Sequence, residues 1–349
     1  MRNPLLTLPL ALLGLTAAHQ TATPPSPRPL PPPYRLYAGI PVGGSGGWDF
    51  LATDPAGERL YVTHGDQVAV LDTRTRRLVG TVAGTPAAHG VVAIPAVGRG
   101  YISCGRHNFV VAFDLKTLKN LGRIATGPKP DALLYDPFSK RLFAFSNAGG
   151  STSVLDPATG RVVGTVALGG DAEVGVSDGQ GHVFVNMEDK SEVVEFDAKT
   201  LAVRHRYPLA PGTGPTGLAY DPEHHRLFSG CANGRLVVLD SRDGRRVADL
   251  PIGPGVDGVA FDAATHHVVS TNGGNGTLTV IHQFKGGPYA VLANVPTAPG
   301  ARTVALSPRT HRLYTCTATL GPAPATTAAT PKPRPAIVPG TFRVLEFGQ

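Results

Sequence analysis

Charged residues are scarce in this chain: Asp, Glu, Lys and Arg together make 16% of its 349 residues. A helical surface usually carries more, so coiled coils and other mostly helical folds are disfavoured. Cysteine is scarcer still. Cys104, Cys231 and Cys316 are too few and too scattered for a disulfide framework, and the odd count leaves at least one thiol unpaired within the chain. Beyond the first 18 residues no segment approaches the length of apolar sequence that a membrane-spanning helix needs, so no span is expected in the mature chain. Tight metal-ligand spacings such as His-Glu-x-x-His and nucleic-acid-binding motifs are also missing. What is plentiful is Gly, 43 residues, and Pro, 33, the two poorest helix formers. Hydrophobic residues at 42% suffice for a sizeable core and argue against wholesale disorder. The chain therefore reads as turn-rich and all-β. A net charge of +7 implies solubility or a loose attraction to anions rather than one partner.

Residues 1–18 read as a secretory signal peptide: Arg2 supplies the positive end, Leu5 to Leu15 an apolar stretch, and Thr16-Ala17-Ala18 a small-residue cleavage site. Residues 19–33 are Pro-rich and read as an extended linker. The expected location is periplasmic or secreted.

From residue 34 a unit of roughly 40 to 45 residues recurs, the spacing of a β-propeller blade. It opens on an apolar run ending in a turn, as in Leu51-Ala52-Thr53-Asp54-Pro55 and Leu134-Tyr135-Asp136-Pro137. A second run follows, as in Arg59-Leu60-Tyr61-Val62 and Arg141-Leu142-Phe143-Ala144. The third ends mostly in Asp (Asp72, Asp114, Asp156, Asp197, Asp240), read as turn-formers, and a fourth resembles Arg77-Leu78-Val79-Gly80-Thr81-Val82. Four short β-branched or aromatic runs per unit predict an all-β, seven-bladed β-propeller of four-stranded antiparallel blades over residues 34–349. The seventh unit stops after its third run, Phe342 to Phe347, and Arg35 to Val42 has the missing fourth pattern. The N-terminal strand is thus expected to close the C-terminal blade, pairing an edge otherwise left open.

The run Leu60-Tyr61-Val62-Thr63-His64, between Asp54-Pro55-Ala56-Gly57 and Val70-Leu71-Asp72-Thr73, resembles the YVTN-repeat, YncE-like family of bacterial secreted β-propellers. The resemblance covers essentially the whole mature chain. Asn147 and Asn272 keep the family's terminal Asn, whereas His64, Met187 and the Cys-containing units depart from it. The resemblance implies the propeller fold and an extracytoplasmic setting; one similar class is associated with DNA and others with surface layers. No catalytic residue carries over.

In such a ring the residue opening each inner strand lies nearest the central tunnel, on the face called the top here. Around the ring these are Asp49, His89, Asp131, Glu173, Thr216, Asp257 and Arg302, all polar. Converging loops on a rigid scaffold are a common binding place, so these seven, with Trp48 as a stacking face or a packing residue, are the expected ligand site for a small molecule or protein partner. His64 and His89 with Asp49 and Asp131 are candidate ligands for a divalent metal ion. The three thiols are expected to be buried and free, with no base assignable to any.

On the bottom face Arg59, Arg99, Arg141, Arg226, Arg309 and Arg312, with Arg74, Arg76 and others in the second set of turns, form a basic surface. Such a surface can bind DNA or other polyanions without reading sequence. Residues 318–340 form a low-complexity loop of Ala, Thr and Pro, expected at the top. The functional expectation is a non-enzymatic binding propeller, with a metal-dependent hydrolase or lactonase-like propeller and polyanion binding as the alternatives.

Overall fold

The computed structural model describes residues 34–285, 287–322, 324 and 335–349. The expected leader and linker, residues 1–33, lie outside the described residues, as do residues 323 and 325–334 of the low-complexity loop.

The described chain forms seven four-stranded sheets, each an antiparallel meander, arranged as the blades of a propeller. Blade 1 runs Trp48–Thr53, Arg59–His64, Gln67–Asp72 and Arg77–Ala83 from the axis outward. Blades 2 to 6 repeat this order from Ala88, Pro130, Ala172, Pro215 and Val256. The two middle strands of a blade are buried on both faces, because each blade is sandwiched between two others. In Gln67–Asp72 the four residues Val68 to Leu71 are all buried. This is why the middle strands read as continuous apolar runs rather than as alternating ones. Outer strands such as Arg77–Ala83 are mostly exposed and carry the arginines and threonines.

The strand-ending aspartates hold the bottom turns. Asp72 Oδ1 accepts the backbone N–H of Thr75 at 2.6 Å, Asp114 Oδ1 that of Thr117 at 2.7 Å, and Asp197 Oδ1 that of Thr200 at 2.7 Å. Each adds to a backbone turn bond, since the same three residues' carbonyls accept the N–H groups of Arg76, Leu118 and Leu201 at 2.8, 2.8 and 2.9 Å.

The ring closes as expected. Arg35–Pro41 pairs antiparallel with Arg343–Gly348 and becomes the outer strand of blade 7. Tyr34, 1% exposed, anchors its start by donating from its hydroxyl to Asp262 Oδ2 of blade 6 at 3.0 Å. Nearby, the base of the low-complexity loop is tied down by a bridge between Leu320 and Ile337, which pack on the core of blades 7 and 1.

Candidate functional site

In blades 1 to 6 the axial residue sits at a local defect in its strand, whereas Arg302 of blade 7 precedes its inner strand, Ala305–Leu306. The pairing of inner and second strands slips between Trp48 and Leu51, Ala88 and Val91, Pro130 and Leu133, Ala172 and Gly175, Pro215 and Leu218, and Val256 and Gly258. An irregularity of this kind re-aims a side chain. Here it falls on Asp49, His89, Asp131, Glu173, Thr216 and Asp257, one per blade.

Hydroxyls and an amide on the second strands fix these backbones across the blade seams. Ser103 Oγ donates to the Asp131 carbonyl, and Thr271 Oγ1 to that of Arg302. Asn186 Nδ2 donates to the Thr216 carbonyl at 3.0 Å. These buried polar positions were not singled out from sequence; their signal is a Thr, Ser or Asn next to the last residue of an otherwise apolar second strand.

His89 stands between two carboxylates. Its Nδ1 is 2.6 Å from Asp49 Oδ2 and 3.5 Å from Asp131 Oδ1. One ligand atom from each of the three residues lies within 4.8 Å of the others, and all three side chains are half-buried. Gly105 gives the ring room: a Cβ there would sit 2.9 Å from His89 Cδ2 and 3.0 Å from its Nε2, and the ring would have to shift. Asp131 Oδ1 is buried and has no hydrogen-bond partner among the described residues. A buried anionic oxygen without a partner is costly, and a cation would satisfy it.

The rest of the ring is paired more fully. Arg302 donates from Nε to Asp257 Oδ2 at 2.8 Å and from Nη2 to Asp49 Oδ1 at 3.2 Å. Asn147 Nδ2 donates to Glu173 Oε1. Thr216 is spent on a seam bond, its Oγ1 donating to the Val256 carbonyl at 2.9 Å. Beneath the ring lies a cavity of about 180 Å³ lined by Phe50, Val91, Leu133, Val174 and Val259, with Asp257 among them.

That wall explains the electrostatics. Burial, then repulsion from Asp131 and Asp257, pushes the Glu173 carboxyl far above its ordinary range. Burial lifts Asp257 to about 6, against the lowering effect of Arg302. Asp131 is raised by burial and by the charge of Asp49, and His89 is raised mainly by its hydrogen bond to Asp49. The raised carboxyl values are the mark of acidic groups crowded in a poorly solvated place, where a bound cation would offset their mutual repulsion.

Two expected site residues lie elsewhere. Trp48 is 8% exposed: its ring packs on Phe342 with centroids 5.6 Å apart, and its Nε1 donates to the Gly300 carbonyl at 3.2 Å. The slip that turns Asp49 into the tunnel sends Trp48 into the core of blades 7 and 1, so it offers no stacking face. His64 is stacked on Phe342 at 3.9 Å, with both ring nitrogens buried and unpaired. Burial lowers its pKa, and it is not part of the Asp49, His89, Asp131 cluster.

Cys104, Cys231 and Cys316 are free and buried. On the bottom face, much of the positive charge is committed. Arg59, Arg99 and Arg141 donate to backbone carbonyls, and Arg226 and Arg242 pair with Asp240.

The protein-family profile described as "Outer membrane protein assembly factor BamB" matches residues 106–306, more than half of the chain. No curated protein matches the chain at a significant level. Among solved structures, "Kuenenia stuttgartiensis Hydrazine Synthase" superposes with a TM-score of 0.70 at 17% identity, over 78% of this chain and 92% of that one. A chain of the structure described as "Crystal Structure of Mitotic Checkpoint Complex" superposes with a TM-score of 0.72 at 14% identity, over 94% of this chain and 99% of that one. At these identities the likeness is one of fold alone. Among the described residues no helix is long and apolar enough to cross a membrane.

Proposed function

The chain belongs to the family described as outer membrane protein assembly factor BamB, and from that premise together with the axial cluster we propose an extracytoplasmic, YncE-like propeller that holds one divalent cation at its tunnel mouth. Asp49, His89 and Asp131 are the ligands, and the bound ion serves metal-dependent hydrolysis of an ester or lactone. The observation that carries this reading is the Asp131 oxygen, buried without a partner within reach of Asp49 and His89. Two carboxylates and an imidazole suit zinc or manganese, and three protein ligands leave a position open, as catalytic rather than structural sites do. Such an ion supplies Lewis-acid polarisation of a carbonyl or a bound water of lowered pKa. The chain's own groups do the rest. Arg302 holds Asp49 and Asp257 in place. Burial and the neighbouring carboxylates raise the Glu173 carboxyl, favouring its protonated form in the same ring. The cavity below the ring adds apolar surface from Phe50, Val91 and Val174 for the substrate's carbon skeleton.

Family membership supports a second reading, in which the same mouth binds a small molecule or a partner protein without turnover. The family's description as an assembly factor is the observation that favours it. Elemental analysis of gently purified protein, with an ester and lactone panel run on wild type and Asp131→Asn, separates the two. Stoichiometric metal with hydrolysis lost in the variant supports the first reading. Metal without turnover on any member of the panel supports the second. Protein that neither carries nor takes up metal contradicts the cation site itself.

A further inference from the structure

At the bottom of the ring three successive seams share a contact that the seam between blades 7 and 1 lacks. Arg59, Arg99 and Arg141, each opening a second strand, donate from Nη1 across the seam to the next blade's turn: to Leu115 O, to Ala158 O at 3.0 Å, and to Ala198 O at 2.9 Å. Arg312 is their counterpart in blade 7, and the same reach would carry it to Thr73 and Arg74 of blade 1. It does not make that bond. Its Nη1 is buried and makes no hydrogen bond, standing 3.6 Å from Glu346 Oε1, and its guanidinium lies 3.7 Å from the centroid of the Tyr37 ring. The seam holds instead a cavity of about 270 Å³ lined by Thr73, Arg74, Arg76, Arg309, Arg312 and Glu346.

Two further exchanges fall at this seam. Leu118 and Leu201 occupy the left-handed turn position in blades 2 and 4, and each packs on a glycine of the preceding blade's outer strand. Blade 1 has Arg76 there, with φ 58°, and its Nε donates to Glu346 Oε2 of blade 7 at 2.6 Å. Glu346, 2% exposed, faces Tyr314 where the corresponding third-strand residues of blades 1, 3, 5 and 6 are Val70, Val154, Val238 and Val280 and that of blade 2 is Ala112; blade 4 also has a glutamate, Glu195, but it accepts from the Tyr207 hydroxyl at 2.5 Å rather than from an arginine. At this seam the leucine-on-glycine contact is replaced by the Arg76–Glu346 ion pair, beside an arginine whose Nη1 makes no hydrogen bond. Glu346 is the one carboxylate in the cavity lining against four guanidinium groups, and Arg74 and Arg309 approach from exposed positions, Arg309 with its Nε on the Ala56 carbonyl at 3.0 Å.

We propose that the seam between blades 7 and 1 is a binding site for a compact tetrahedral oxyanion of the phosphate-monoester class. Guanidinium forks bind phosphate oxygens in pairs, and a dianion would take the unused Arg312 donor while relieving the repulsion among the four arginines. The group could arrive as free phosphate or a soluble phosphoester, or on a phospholipid headgroup. Because the outer strand of blade 7 closes the ring at this seam, an occupied site would also tie the two ends of the fold together.

The test uses the whole folded protein in EDTA, so that no axial cation takes up the anion, with calorimetric titration of inorganic phosphate at constant ionic strength. Saturable one-site binding is expected in wild type and in Asp131→Asn. Arg74→Gln with Arg309→Gln should weaken it about tenfold or more, on the scale of losing charged hydrogen bonds. Both residues are exposed and the Arg76–Glu346 pair is kept, so unchanged thermal unfolding checks the fold. A second arm uses phosphatidylcholine vesicles containing phosphatidic acid. Vesicle binding that free phosphate suppresses assigns the site to a lipid headgroup, and phosphate binding without vesicle binding assigns it to a soluble anion. Absence of saturable phosphate binding, or equal binding by the double variant, overturns the proposal.

Discussion

His89 Nδ1 lies 2.6 Å from Asp49 Oδ2 and, on its other side, 3.5 Å from Asp131 Oδ1, so residues from three successive blades meet at one imidazole nitrogen. Asp49 is satisfied, by His89 and by Arg302; the Asp131 oxygen is not. The asymmetry has a consequence for stability. Without a cation, Asp131→Asn removes a buried anionic oxygen that repels Asp49, and the amide it introduces can donate. In EDTA the variant should therefore be more stable than wild type, by ~1–3 kcal/mol. With a divalent metal at a hundredfold excess over its Kd, wild type should gain about 2.7 kcal/mol and the variant nothing. Denaturant unfolding of both proteins under the two conditions checks this. A variant less stable than wild type in EDTA would mean that the carboxylate is structural.

Blade 2 tests whether blade packing is as local as the repeat implies. Its second strand carries Gly100 where the other blades have Leu60, Leu142, Val183, Leu227, Val268 and Leu313. The cross-strand Phe113 ring fills the gap, and a Cβ at residue 100 would sit 2.2 Å from it. Restoring the repeat with Gly100→Leu should destabilise the protein by ~1–3 kcal/mol through overpacking. Adding Phe113→Leu should recover part of the loss. Additive effects of the two changes would sink this account of the pair.

His267 makes stability pH-dependent. It is fully buried, edge-on to Tyr34 and His282, and burial followed by repulsion from His282 lowers its pKa from 6.5 to about 4. The unfolded chain then binds a proton between these values that the folded chain refuses. Its contribution is complete above pH 6.5 and is lost as the pH falls toward 4, amounting to roughly 3 kcal/mol. Unfolding free energies of wild type and His267→Gln at pH 7 and pH 4.5 should diverge in slope, with the variant flatter. Equal slopes would assign the acid sensitivity to other groups.

The thiols offer a simple probe of integrity. Burial pushes Cys104 and Cys316 up to about 12 and Cys231 to about 11, so little thiolate exists near neutrality and access is closed. A disulfide exchange reagent at pH 8 should label none of the three in the native protein and all three in denaturant. Rapid labelling of any one in the native state would place it at a solvent-open seam.

Most of the architecture was readable because its determinants are local and repeated. Asp72, Asp114 and Asp197 cap turns two or three residues away, and counting strands places the fourth strand of blade 7 at Arg35–Pro41. The same counting reaches the axial positions, since one residue per inner strand must face the tunnel. What it cannot supply is direction and partnership set by distant residues. Trp48 and Asp49 are neighbours that part at an irregular pairing, and Trp48 and His64 both find Phe342, almost 300 residues away, only once the ring has closed. The unused Arg312 donor is likewise visible only against its counterparts in other blades.

The axial cation site is the centre of this account, and calorimetric titration of metal-free protein with zinc or manganese tests it most directly. The expected result is one divalent cation per chain in wild type, with affinity reduced at least a hundredfold in Asp131→Asn and in His89→Ala. Absence of saturable binding by wild type, or equal binding by both variants, would contradict it.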